Sequence, residues 1–179
     1  TYPIPGNDDA ARAIGKLLRK LTGFSGLVHE NMYRFLGWRF LKLGQHHERA
    51  MGMTAILAAL ADPAAPEGAL DLAIEVGDSV MTHRRRFALV TARETVVELL
   101  ALDEMNPRAI RFQLDGIRDQ LSHLPGASGR GSTVALSRAV AALHSRLDRA
   151  TPETLDTAAL WAFRADLAAL ADLVTEGYR

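Results

Sequence analysis

From Ser25 to Ala61 the chain runs for 37 residues without a proline, with helix formers throughout, and this stretch limits the fold more than any other. Proline is the residue that ends a helix most firmly, so a run of this length predicts one long helix. At 100° per residue, Val28, Met32, Phe35, Leu36, Leu43, Ala50, Met53 and Leu57 fall within about a third of its circumference. Such a stripe needs an apolar surface to lie against. Arg39 and His46 sit inside the stripe, and an unpaired buried cation is costly, so each is expected to meet a carboxylate or a bound anion. Glu48 faces the other way, in line with Gly37, Gly44, Gly52 and Ala55. A glycine inside a helix costs about 1 kcal/mol relative to alanine, so this row predicts close approach of another helix.

The rest of the chain repeats the pattern in shorter pieces. Pro3 and Pro5 favour an extended lead-in, after which Ile14, Leu17, Leu18 and Leu21 mark a first helix that Thr22-Gly23 should end. Asp62-Pro63-Ala64-Ala65-Pro66 turns the chain back. Leu70, Ile74 and Gly77 form one row and Leu72, Ala73, Val76 and Val80 a second, which predicts a helix packed between others. Ala92–Leu102 is a shorter helix. Asn106-Pro107 reads as a cap and first turn for a helix reaching about His123 that buries Ile110, Leu114, Ile117 and Leu121. The Gly- and Ser-rich residues near 125–133 read as a flexible loop. Two more helices follow, with Leu136, Val140, Leu143 and Leu147 on one and Leu160, Phe163, Leu167, Leu170 and Val174 on the other, the second starting at Thr151-Pro152. No window alternates with the period of a strand. The expectation is an all-α chain, a bundle of six or seven helices around one long central helix at about 25–61, forming a single domain over 1–179.

Charge and composition exclude several functions. Lys plus Arg and Asp plus Glu both number 21, and nucleic-acid binders usually carry a basic excess, so no nucleic-acid partner is expected. With no cysteine, disulfides and thiolate metal sites are ruled out, and a cytoplasmic setting is expected. The apolar run Ala50–Ala61 is shorter than the roughly 20 residues of a membrane span, and the amino end lacks a signal-peptide pattern. The chain opens at Thr1, as a processed product or a piece of a longer protein would. No Walker loop or strand-linked Gly-x-Gly-x-x-Gly is present, and no cofactor is expected. There is no nucleophile elbow.

A metal site is the tempting use of His46-His47-Glu48, with His29-Glu30 upstream, but the spacing opposes it. Residues 30 and 48 lie about 27 Å apart along a helix, neighbours such as 46 and 47 point about 100° apart, and no Glu-x-x-His pair occurs. No metal is expected. Asp71, Glu75 and Asp78 fall on one helix face and could form a charged layer with Arg39, Arg49 or Arg84 or be a solvated face, while the apolar setting of Asp78 predicts that it is internal. The run His83-Arg84-Arg85-Arg86 could hold a phosphate or carboxylate through its guanidinium groups, or be simply a solvated face. Asp119 with His123, and His144 with Asp148, read as pairs on exposed faces.

Three separated blocks resemble the bacterial alpha-E family, an all-helical domain with a Glu-Arg motif. They are Gly37-Trp38-Arg39-Phe40-Leu41 running into Glu48-Arg49-Ala50, then Asp78-Ser79-Val80-Met81-Thr82 with Arg84 to Phe87, then Leu102-Asp103-Glu104 with Asn106-Pro107-Arg108 and Phe112-Gln113-Leu114. His83 stands where an aromatic such as Tyr is expected and Ala109 where Ser is usual, so the hydroxyls are missing at both. The chain looks like the second half or a shortened version of a family member. Alpha-E domains occur beside, or fused to, circularly permuted ATP-grasp and transglutaminase-like proteins. The resemblance therefore implies a helical accessory or substrate-binding domain working with an ATP-grasp-type amide ligase, with an amino acid or peptide as substrate. It carries over Arg39, Glu48, Arg49, Asp78, Asp103, Asn106 and Arg108 as motif positions. Arg39, Arg49, Arg84, Asp103, Asn106 and Arg108 are the candidate binding residues, and Glu48 and Asp78 the candidate acid-base groups. Two alternatives stay open: an enzyme of amide chemistry in its own right, and a structural module in which the charges only fix helix register.

Overall fold

The computed structural model describes residues 7–88, 90–126 and 132–178, and every regular element among them is helical. In chain order these are α1 (Asn7–Asn31), α2 (Leu36–Leu60), α3 (Ala69–Val76), α4 (Val80–Phe87), α5 (Arg93–Val97) continuing into a π-helical turn (Glu98–Leu102), α6 (Ile110–Ser122), α7 (Ser132–Asp148) and α8 (Thr157–Gly177). The all-α expectation holds. The lead-in at 1–6 lies outside the described residues, as do residues 127–131 of the loop expected near 125–133. No helix among the described residues is long and apolar enough to cross a membrane.

The long central helix over 25–61 does not form, because the chain leaves helical geometry between Asn31 and Leu36. Local polar groups there compete for the backbone. Asn31 Nδ2 donates to Leu27 O at 3.0 Å, the Arg34 guanidinium donates to His29 O, and Phe35 N–H closes a tight turn on Tyr33 O at 2.8 Å. Arg34 also lies over the Trp38 ring, 3.6 Å from its centroid. Conversely, Thr22-Gly23 does not end α1. The Thr22 hydroxyl is satisfied inside the helix by Leu18 O at 2.9 Å, and the helix of 25 residues tolerates Gly23 as it does Gly15 and Gly26.

The chain divides into two compact units, the first closing at Trp38 and the second opening at Arg39. In the first, the row of Ile14, Leu17, Leu18 and Leu21 is exposed, and Phe24 and Leu27 extend it. In the second, Leu43, Ala50, Met53 and Leu57 of α2 share the core with Leu99 and Leu100, with Ile110, Leu114, Ile117 and Leu121 of α6, and with the predicted rows of α7 and α8 up to Leu170. Burying each of the Leu, Ile, Val, Met and Phe side chains among these contributes about 1.5–3 kcal/mol. α7 packs against α6 and α8, and α6 against the π-helical turn.

Other details depart from the pattern. Leu72 and Val76 are exposed, so α3 buries one face and not two. Gly44 and Gly52 have nothing within 4 Å of a built Cβ, so among the described residues no helix is in close contact with α2 at these two glycines. α6 starts at Ile110 rather than at Asn106-Pro107, and α8 starts at Thr157, where Asp156 caps it by accepting from Ala159 N–H at 2.7 Å.

Candidate functional site

Two buried amides join the second and third sequence blocks to each other and to α2. Asn106, 8% exposed, lies in the turn before α6. Its Nδ2 donates to Leu99 O at 2.9 Å and to Ser79 Oγ at 3.2 Å, while its Oδ1 accepts from Arg108 N–H at 3.1 Å. The π-helical turn explains why Leu99 O is free to accept: Asp103 N–H bonds to Glu98 O at 3.0 Å, one residue further back than in an α-helix. Ser79 in turn donates to Gly77 O at 2.9 Å. Gln113 on α6 supplies the second link. Its Nε2 donates to Pro107 O, next to Asn106, and its Oε1 stands 2.8 Å from His46 Nδ1 on α2.

α2 thus meets α6 through amides where carboxylates were expected. Arg39 Nη1 donates to Gln120 Oε1 at 3.1 Å, and Gln113 accepts from His46. Burial holds the His46 ring below its ordinary pKa, with the nearby Arg49 charge acting in the same direction, so the imidazole is neutral near pH 7. A neutral ring is satisfied by an amide oxygen and needs no counter-charge.

The charged candidates lie around this spine. Asp78 is exposed, contrary to its apolar sequence setting, and pairs with Arg108 at 2.9 Å. Asp103 binds Arg86, which also lies 3.8 Å from Glu98. Asp78, Asn106 and Arg108 are therefore brought together, with Asp103 and Ser79 in the same region of chain. Arg84 lines a separate cavity with Asp71, Glu75 and His83. Glu48 and Arg49 are exposed on α2, and neither side chain makes a hydrogen bond or ion pair with a described residue. No contact among the described residues joins them to Asp78 or Arg108.

A model of the Alpha-E family, described as a predicted alpha-helical domain with a conserved ER motif, matches residues 4–178. The chain belongs to the Alpha-E family. Its only Glu-Arg step is Glu48-Arg49, so the motif of the Alpha-E description falls on the exposed, unpaired pair of α2. Uncharacterized proteins of Mycobacterium bovis and of two strains of Mycobacterium tuberculosis are each 32% identical to it over 164 residues. That alignment covers 89% of the chain and 18% of each relative, so this Alpha-E chain spans less than a fifth of the curated relatives it matches. No solved structure matches it.

Several residues of the network were not singled out by spacing. Gln113 and Gln120 are buried, but a glutamine in an amphipathic helix carries no signal of its role. Arg93 donates to Ala61 O at 3.0 Å, to Pro152 O at 2.6 Å and to Leu155 O, tying the end of α2 to the turn before α8. His144 is buried rather than exposed: its Nε2 lies 3.1 Å from Leu114 O, and its Nδ1 lies 3.7 Å from Asp115. Among the described residues no group of three or more His, Asp or Glu is placed to hold a metal.

Proposed function

We propose that the chain is an accessory or substrate-binding domain that works with an ATP-grasp-type ligase in forming or modifying amide or peptide bonds, in a cytoplasmic setting. One observation carries the reading: Glu48 and Arg49, the family's Glu-Arg step, stand exposed and unpaired on α2. Charges that serve only to fix helix register are expected to pair at close range inside the bundle, and these do not. Exposed charged residues that a family keeps point to recognition rather than to packing. The bare glycines one turn to either side, Gly44 and Gly52, leave room for a partner backbone against the pair. The ligase itself is taken from the company that alpha-E domains keep. The short span of this chain within its relatives fits a module that acts as part of something larger.

The test is reconstitution of the chain with an ATP-grasp neighbour, reading ADP release with candidate amino acids. Glu48→Gln and Arg49→Gln should each abolish the stimulation by the chain while leaving its helicity and urea midpoint unchanged. Full stimulation by both variants would sink the reading. Turnover by the chain alone would instead make it an enzyme in its own right.

A further inference from the structure

The cavity between α3 and α4 carries charges that the fold does not use. It holds 480 Å³ and is lined by Asp71, Glu75, His83, Arg84 and Thr91, with Ile74, Val80 and Ala88 supplying its apolar wall. The Glu75 and Arg84 side chains are exposed and have no hydrogen-bond or ion-pair partner among the described residues. Asp71 accepts a single hydrogen bond, from the Thr91 hydroxyl at 3.0 Å, and a carboxylate has room for several more.

His83 sets the polarity of the wall. It is 3% exposed, and its Nε2 lies 3.2 Å from Thr95 Oγ1. That hydroxyl donates its own proton to Ala92 O at 2.8 Å, so the ring nitrogen is the donor and Nδ1 keeps its lone pair. Burial holds the ring below its ordinary pKa, and it is neutral near pH 7. The lining therefore offers two carboxylates and one guanidinium beside a neutral imidazole. A phosphate or other polyanion would meet Arg84 only beside two like charges, and a simple amine would leave Arg84 unanswered.

We propose that this cavity binds a small zwitterion, an α-amino acid or a short peptide, with its carboxylate on Arg84 and its ammonium on Asp71 and Glu75. The planar guanidinium fork matches a carboxylate in two parallel hydrogen bonds, and the volume lies in the range of small-ligand sites. This names a ligand class for the substrate-binding reading and rests on that reading only for its biological use. Binding to the chain alone needs no ligase, so the two fail separately.

The experiment is titration of the chain with alanylalanine, followed by calorimetry and by NMR of the His83 ring. Its N-acetyl form, its C-terminal amide and inorganic phosphate serve as comparisons. Alanylalanine should bind, and each blocked form should bind at least about tenfold more weakly. Arg84→Gln should remove the preference for the free carboxylate, and Glu75→Gln should weaken that for the free amine. Both residues are exposed, so the variants should fold, which circular dichroism checks. No binding of alanylalanine up to about 10 mM, equal binding of the blocked forms, or tighter binding of phosphate would each overturn the proposal.

Discussion

His46 Nδ1 stands 2.8 Å from Gln113 Oε1, and this contact across α2 and α6 exists only because residue 116 is glycine. A Cβ built on Gly116 would lie 2.4 Å from His46 Cε1 and within 2.6 Å of both ring nitrogens. Gly116→Ala should therefore expel the imidazole and cost about 1–3 kcal/mol as overpacking, with the lost hydrogen bond adding about 1 kcal/mol. In urea denaturation the single variant should unfold well below wild type. Combining it with His46→Ala should recover part of the loss, since the ring would no longer collide; strict additivity would show that the two sites do not touch.

Acidification should act on the same contact. The folded-state pKa of His46 lies below the ordinary 6.5, chiefly through burial. Below about pH 6.5 the unfolded chain therefore binds the proton more readily than the folded one, and stability falls as pH drops from there toward the folded pKa. His83 and His144 are shifted in the same direction, again mainly by burial, and steepen the fall. The urea midpoint should decline between about pH 7 and 5, above the range where most carboxylates titrate. His46→Gln should flatten that slope, and an unchanged slope would remove His46 from the account.

Asn106 and Glu48 should separate structure from recognition. The Asn106 amide serves Leu99 O and Ser79 Oγ while buried, so Asn106→Leu leaves a buried carbonyl unpaired and should cost about 2–4 kcal/mol. Asn106→Asp should be at least as damaging, because a carboxylate cannot donate to Leu99 O. Glu48→Ala, at an exposed position without a described partner, should change stability by less than about 0.5 kcal/mol. Thermal denaturation of the three variants checks the ranking, and a large loss in Glu48→Ala would return the Glu-Arg pair to a structural role.

What the sequence makes legible follows from where its information is local. The rows of α6, α7 and α8 were readable because a 3.6-residue period reports burial directly, and all the residues they named through Leu170 are buried. The break at residues 32–35 was hidden, since it arises from side-chain to backbone bonds of Asn31 and Arg34 that need no proline or glycine. For the site, Asn106 was named as a helix cap but acts by a contact 27 residues away on Ser79. Spacing also placed Arg39 and His46 on the buried side of α2 and asked what meets them. It could not show that two glutamines of a distant helix answer with neutral oxygens.

The junction between α3 and α4 shows the same limit at one bond, and it can be tested. In Gly77-Asp78 the glycine is the natural candidate for a left-handed turn, yet Gly77 has φ −71° and Asp78 has φ 47°. The glycine is needed for another reason: a Cβ on Gly77 would lie 2.7 Å from Leu100 Cδ2. Asp78 takes the left-handed conformation instead, which Asp and Asn tolerate best among residues with a Cβ. Its pair with Arg108 is exposed and worth at most about 1 kcal/mol. Asp78→Asn should thus be nearly neutral. Asp78→Gly should also lie within about 1 kcal/mol of wild type, relief of backbone strain offsetting the lost ion pair and the freer unfolded chain. Asp78→Val should lose more than either, because a β-branched residue resists positive φ. Urea midpoints in the order Gly and Asn above Val would place the constraint on the backbone, whereas equal losses in all three would place it on the Asp78–Arg108 ion pair.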